Sequence, residues 1–516
     1  MTHIDHKFKF KDSLEKVYNS AWTIRIILAL GILIRVIQYV SNRSLWLDEA
    51  MLSSNIVNRT SLGMLQPLDK AQGAPVGFLI LEKLAVLIFG QNEYSLRLLP
   101  LLSGVLALFV FYKVSKIYLK DKVVPFAVLL FSISFPLIRY SSEVKQYSTD
   151  VLVALILYLI ADQFFSKKKG NRKYIIFGFV GSLSILISHP SVFVLAGVGT
   201  VIFILYLHSG EWKEVKKLAV IYLFWIINFA IVYYFFLHDL TSQKFLLKVW
   251  EHSFAPFPPS SASKINWYFN YFYFGNFKYF FGDQVYMIAA FLFTIGLASI
   301  FIEKNVKLAA LISPAVFLLV ASALRMYPAG ERLVLFMISP LILITSKGAI
   351  DLISKYSGNI AILVLSIFLT FFFYPLHHAF KTIVAPIKHE EIKPAIKYVS
   401  ENLKKDDTIY IYYGAVQVFE FYSKEFNFDK KKCIAGSRGR DNLNLFLDDI
   451  EKIRGKRRVW IIFSHIFSRH GINEEKFFLF NLNRVGNPIE SHQYKGASVY
   501  LYDLNGQNDR VEGSTG

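Results

Sequence analysis

Two adjacent carboxylates, Asp48 and Glu49, close the run Trp46-Leu47-Asp48-Glu49 just after the first long apolar stretch of the chain. A carboxylate held at a membrane edge can stay ionised and take a proton from a hydroxyl or an amine, which is general-base chemistry. Ionisable groups close to lipid are costly, so each is a functional hypothesis by default. The same pair also reads as a helix start. Asp is a favoured N-cap, and Glu in a first turn complements the helix dipole. A cap can also be a base, so both readings stand.

Three further places carry chemistry-bearing residues. The segment Arg139-Tyr140-Ser141-Ser142-Glu143-Val144-Lys145-Gln146-Tyr147 lies between two apolar runs. If a helix begins near Ser141, Glu143 and Tyr147 share a face one turn apart, and Arg139 and Lys145 can meet a phosphate. Equally, Ser141 caps that helix, Glu143 complements its dipole, and the cations reach out of the bilayer along their stems. His189-Pro190 marks a turn, where a lone histidine is either a turn residue or a base. Arg325 and Arg332 bracket the turn Met326-Tyr327-Pro328-Ala329-Gly330-Glu331. Their planar guanidinium groups can grip a phosphate or simply anchor at the interface.

What must position these residues is mostly membrane. The chain has 516 residues, 54% hydrophobic and only 18% charged, with a mean hydropathy of +0.40. Apolar runs of about 18–22 residues are long enough to span a hydrocarbon core. They fall near 21–40, 95–117, 123–140, 146–165, 174–189, 191–208, 218–237, 284–302, 307–324, 331–346 and 359–375. This predicts a polytopic α-helical membrane protein with about 11 transmembrane helices. Residues 1–20 are polar and no small-residue cleavage site follows the first run, so that run is expected to remain as an anchor. The single Cys433 excludes a disulfide framework.

The net charge of +19 invites a nucleic-acid reading. Its distribution argues against one. Lys7, Lys9, Lys11 and Lys16 precede the first run. Lys113, Lys116, Lys120 and Lys122, then Lys167, Lys168, Lys169, Arg172 and Lys173, then Lys213, Lys216 and Lys217, fill short loops on one side. That is the positive-inside pattern. It puts the N-terminus in the cytoplasm and residues 41–94, 140–146, 238–283, 325–330 and all beyond 376 outside. In the first outer loop, 49–59 and 76–89 read as amphipathic helices lying in the interface, separated by Gly73 and Pro75. Residues 238–283 form a second long, aromatic-rich outer loop, read as an interfacial belt or as a lid.

Composition changes after Pro386. Helices at 390–404, 415–425 and 473–482 alternate with strands at 408–413, 458–463 and 498–503. This predicts a small α/β extracytoplasmic domain over 386–505, with 506–516 a disordered tail. Ser464-His465 ends one strand, with no acid spaced to complete a triad. No P-loop, GxGxxG or CxxC occurs.

Taken together, these pieces resemble the GT-C-fold membrane glycosyltransferases of the protein O-mannosyltransferase and aminoarabinose-transferase type. The first loop carries the match: Leu45-Trp46-Leu47-Asp48-Glu49-Ala50, then Gly73-Ala74-Pro75 before a helix, then Glu93-Tyr94-Ser95-Leu96-Arg97-Leu98-Leu99-Pro100. Tyr140-Ser-Ser-Glu143-Val-Lys145-Gln-Tyr147 is similar to the family's Glu-Ala-Arg-x-Tyr segment, and Glu331-Arg332 opens an apolar helix that contains Pro340. The departures are Ala74-Pro75 for a Pro-Pro pair, Lys145 for an arginine, and His189-Pro190 for a His followed by an aromatic.

The resemblance implies a GT-C transmembrane catalytic domain over 1–375, including the 41–94 loop. It implies transfer of a hexosyl or pentosyl group from a polyprenyl-phosphate sugar to a protein, lipid or polysaccharide acceptor outside the plasma (inner) membrane, with inversion. Asp48 would be the general base and Glu49 would orient it or the acceptor. Glu143, Lys145, Tyr147, His189, Arg97, Arg325 and Arg332 would line the sugar and phosphate pocket. A divalent cation, Mg or Mn, could join Asp48 and Glu49, but no third ligand is spaced for it. Two alternatives remain: a transporter or flippase of lipid-linked sugars, which should show inverted repeats and broken midplane helices, and a non-catalytic envelope assembly protein.

Overall fold

A computed structural model of the chain describes residues 20–355, 358–440, 442–469 and 471–505. The basic segment before Ser20 and the tail expected to be disordered from 506 lie outside the described residues. The chain forms two compact units. One holds residues up to Ser41 together with Arg59–Pro386, and the other holds Asn42–Asn58 together with the chain from Ile387.

The first unit is helical. Among the described residues, seven helices are long and apolar enough to cross a membrane. They are Ala21–Val40, Glu93–Tyr118, Tyr147–Phe165, Ser191–His208, Trp212–Ser242, Val306–Ala323 and Glu331–Lys355. Ala262–Phe281 and Tyr286–Ile302 make an eighth if counted as one span bent by 115°. The remaining places expected to span are helical too. Val124–Ile133 and Phe135–Tyr140 are split at Ser134, because Pro136 forbids a continuous helix there. Arg172–Ile187 has 16 residues and Gly358–Val384 has 27. The chain is a multi-pass membrane protein.

Local chemistry sets these boundaries. Asn92 and Ser95 form a reciprocal capping box at the start of Glu93–Tyr118. Helices Tyr286–Ile302 and Ile338–Lys355 approach backbone to backbone, because a Cβ on Gly296 or Gly348 would strike the Ile344 or Leu292 carbonyl. Small residues at such a crossing are how spanning helices gain packing without a hydrophobic driving force. The expected interfacial helix at 76–89 is Val76–Phe89. The segment expected to lie outside at 238–283 is largely helical: Lys244–Val249, then Ala262–Phe281 with a π-helical middle at Tyr268–Gly275. Past Pro259 no proline interrupts it, so its aromatic residues stack at helical spacing rather than lying in an irregular loop.

The second unit is α/β. Strands β1 (Thr408–Ile411), β2 (Cys433–Ala435), β3 (Val459–Ser464), β4 (Asn487–Tyr494) and β5 (Ala497–Asp503) form one sheet in the order β2-β1-β3-β5-β4. β1 runs parallel to β2 and β3, and β5 is antiparallel to β3 and β4. Central β3 is buried along its whole length, as a strand covered on both faces must be. Val459, Ile461 and Phe463 pack with Phe446 and Ile450 of helix Asn444–Ile453 and Phe478 of Glu474–Leu482. Tyr398 of helix Ile392–Asn402 meets Trp460 on the other face.

Strands β2 and β4 and helix Asn444–Ile453 were not expected from sequence. The helix carried a readable signal, with Phe446, Ile450 and Ile453 at helical spacing. Residues 42–58, expected with the transmembrane part, are compact with the C-terminal chain instead, through contacts described below.

Candidate functional site

In the second unit, the Asp-Glu pair opens helix Leu47–Asn58. Glu49 is fully buried and its carboxylate meets Arg43, itself 2% exposed, at 2.6 Å. The Trp46 backbone N–H also donates to Glu49 at 3.4 Å. Both contacts fall on Glu49 and hold the helix start, so the capping role foreseen for this place falls on Glu49, which takes the Trp46 N–H as the N3 residue of a capping box does. Asp48 is partly exposed.

The rest of the unit grips this segment. The Leu45 N–H donates to the Tyr422 hydroxyl at 2.9 Å. The Ser44 N–H donates to Glu391 at 3.3 Å, and the Lys393 N–H donates to the Ser44 hydroxyl at 3.1 Å. Lys424 donates to Asn58 at 2.8 Å, and Leu47–Asn58 packs on helix Val416–Ser423. The C-terminal chain therefore fixes where Asp48 sits.

The first unit gathers a second set. The segment 141–146 is a turn and the next helix starts at Tyr147, so Glu143 precedes the helix rather than sharing a face with Tyr147. Ser141 and Ser142 hydrogen-bond back to Ile138 and Arg139, ending the preceding short helix instead of capping the next. Glu143 is fully buried and pairs with Arg139 at 2.8 Å. Lys145 donates to Gln72 at 2.8 Å. The Tyr147 ring lies 5.0 Å from Tyr140 and 5.9 Å from the Arg332 guanidinium, which also stands 5.6 Å from Trp250.

Tyr279 ties the set together. Its hydroxyl is hydrogen-bonded to that of Tyr140. It lies within electrostatic reach of Arg139, Glu143 and Arg332. It also lines an apolar cleft of about 90 Å³ bounded by Ser134, Phe135, Phe281, Ile338 and Tyr374 among others.

Sequence reasoning missed Tyr279 and Trp250. Both sit in the aromatic-rich 238–283 segment, where many rings of one type hid the two that face charges. Arg325 is not part of the set. It is exposed in a left-handed turn (φ 57°) after helix Pro314–Ala323. Arg97 is buried at the start of Glu93–Tyr118, near enough to Tyr39 to act on it electrostatically. His189 stands in the turn before Ser191–His208, where burial pushes its imidazole down to about 4, so it is neutral at pH 7.

Glu82, on Val76–Phe89, is fully buried and neither carboxylate oxygen has a hydrogen-bond partner among the described residues. Burial raises it well above its ordinary 4.5. A carboxyl raised in the folded state costs stability as pH climbs past its unfolded value. Glu82→Gln is therefore expected to match the wild type near pH 4.5 and to melt progressively higher than it from there toward pH 8. A melting series across that range checks this; parallel curves would show that Glu82 does not titrate this way.

The residues that could hold a divalent cation are Asp48 and Glu49. Glu49 is already taken by Arg43. Among the described residues no three His, Cys, Asp or Glu side chains gather as a ligand group.

Comparison with known proteins places the architecture. Apo ArnT from Cupriavidus metallidurans superposes with a TM-score of 0.53 at 12% identity, over 93% of this chain and 98% of that one. The fold is GT-C. ArnT bound to undecaprenyl phosphate gives 0.51 at 12% identity over the same shares. The apo Archaeoglobus fulgidus oligosaccharyltransferase gives 0.50 at 11% identity, over 95% of this chain and 75% of that one. A family model described as dolichyl-phosphate-mannose-protein mannosyltransferase matches residues 72–236. That stretch of the GT-C chain contains Arg97, Glu143, Lys145, Tyr147 and His189, and excludes Asp48, Glu49, Arg325 and Arg332. No curated protein matches the chain at the sequence level.

Proposed function

We propose that the protein is a glycosyltransferase that moves a sugar from a polyprenyl-phosphate donor to an acceptor outside the cytoplasm. The observation that carries this reading is the set Arg139, Glu143, Tyr147, Tyr279 and Arg332 beside an apolar cleft. A lipid phosphate needs cations at its head and an apolar path for its chain, and a GT-C fold similar to that of ArnT bound to undecaprenyl phosphate supports the pairing.

In this reading the acceptor hydroxyl or amine attacks the anomeric carbon and passes its proton to Asp48. The bond from that carbon to the phosphate oxygen breaks, and polyprenyl phosphate leaves with the electron pair. The leaving group is a stabilised anion, so it calls for cations rather than a strong general acid. Attack opposite the leaving group inverts the anomeric centre. Arg332 and Lys145 hold the phosphate, Glu143 and Tyr147 shape the sugar pocket, and Glu49 and Arg43 fix the helix that presents Asp48. The loop charges support a cytoplasmic N-terminus and an extracytoplasmic C-terminal unit in a plasma (inner) membrane.

The test is release of polyprenyl phosphate by the purified chain in nanodiscs, from a panel of polyprenyl-phosphate sugars. Donor-dependent release is expected. Movement of the lipid across the bilayer with no release from any donor would replace the transferase by a transporter. Arg332→Ala is expected to raise the KM for donor roughly 10–100-fold, the loss of a charge-assisted phosphate contact. An unchanged KM would remove Arg332 from the phosphate site.

A further inference from the structure

The second unit holds a cluster that the reaction above does not use. β1 and β3 are parallel, and the crevice beyond the carboxyl ends of parallel strands is where open α/β sheets bind ligands. His465 stands there, one residue past β3, in a left-handed conformation (φ 51°) that few non-glycine residues adopt. Such strain persists where the surroundings enforce it and concentrates at binding sites. Its Nδ1 lies 2.6 Å from Glu390 Oε1. A carboxylate only accepts, so Nδ1 carries the hydrogen and Nε2 is left for a second partner.

The surroundings are built to hold this pair. A Cβ on Gly414 would come within 2.7 Å of the His465 carbonyl, and one on Gly496 would strike the His389 carbonyl. No other residue type allows the 389–390 and 464–465 backbones to sit where they do. Ser464 is fully buried, and its hydroxyl is 3.5 Å from Glu390, so it serves the core and is not a nucleophile. The Trp46 ring lies 6.4 Å from both His389 and His465. Trp46 is partly exposed, as are His465 (24%) and Glu390 (13%). Trp46 precedes Asp48 by two residues.

Resting on the reading that Asp48 deprotonates the acceptor, we infer that Trp46, His465 and Glu390 bind that acceptor, and that it is a saccharide. A pyranose offers an apolar C–H face and a rim of hydroxyls. The indole takes the face. Glu390 accepts from hydroxyls, and His465 Nε2 accepts from one or, when protonated, donates to it. A peptide acceptor would call for a row of backbone partners or a side-chain pocket, and this cluster offers an indole face and two hydroxyl-seeking groups, with the His389 and Phe467 rings packed against them.

The experiment presents the full chain in nanodiscs to an array of immobilised oligosaccharides and peptides, with no donor. Retention on a subset of saccharides is expected, weakened at least ten-fold by His465→Ala and by Glu390→Gln. Glu390→Gln keeps the side chain's shape, and melting temperatures are read alongside. In the unsubstituted chain, the retained saccharide is expected to shield Trp46 and His465 from hydroxyl-radical oxidation, a readout that needs no variant. Saccharide binding by this cluster in a chain that turns over no donor would sink the transferase reading and leave the site standing. Donor turnover with retention on peptides alone, on nothing, or on saccharides without shielding of Trp46 and His465 would overturn the site and leave the transferase.

Discussion

Asp48→Asn is expected to lower donor-dependent release of polyprenyl phosphate by roughly 10²–10⁴-fold, the usual contribution of a positioned general base. The substitution is nearly isosteric at a partly exposed position, so the melting temperature should barely move. Glu49→Gln should behave differently. Its carboxylate is buried against Arg43, so its loss is read in stability as well as in rate. A rate for Asp48→Asn equal to wild type, in a preparation that turns over donor, would take the base assignment away from Asp48 and leave the enzyme class intact.

Arg43→Ala is expected to destabilise the second unit by about 3–5 kcal/mol, because it leaves the buried Glu49 charge without its Arg43 cation. Thermal melting and protease susceptibility of 387–505 measure it. The double variant Arg43→Ala/Glu49→Gln should recover part of the loss, since no buried charge then lacks a partner. Activity should fall in both, because the start of helix Leu47–Asn58 is no longer pinned. A melting curve for Arg43→Ala that overlays the wild type would show that the pair does not hold the helix.

The elements that depend on period and length alone were legible. The apolar runs became helices, though 331–346 and 359–375 run on to Lys355 and Val384 and 123–140 is split at Ser134, and the strands at 408, 458 and 498 emerged within a residue or two. What depended on the partner was not. Glu143 was placed on a helix face, whereas its Arg139 ion pair and the serine back-bonds end one helix before the next begins. Ser464-His465 lacked an acid within reach along the chain, and Glu390 supplies one from 75 positions away. Tyr279 was one aromatic among many until the fold set its hydroxyl on Tyr140. β4, whose residues alternate between exposed and half-buried, carried too few apolar residues to stand out. No periodicity announces that a segment of the first loop will join a domain made more than 300 residues later.

That discontinuity has a meaning in time. Ser44 and Glu391, which are hydrogen-bonded in the finished protein, are 347 residues apart in the chain. At 5–20 residues per second, the ribosome emits the second roughly 20–70 s after the first. Until then helix Leu47–Asn58 has no Tyr422, Glu391 or Lys393 to dock on, and Arg43 and Glu49 are assembled against nothing. A chain truncated anywhere before the sheet would carry Asp48 without the scaffold that aims it. The arrangement thus acts as a completeness check, in which the candidate base comes into position only on molecules synthesised to the end of the C-terminal unit.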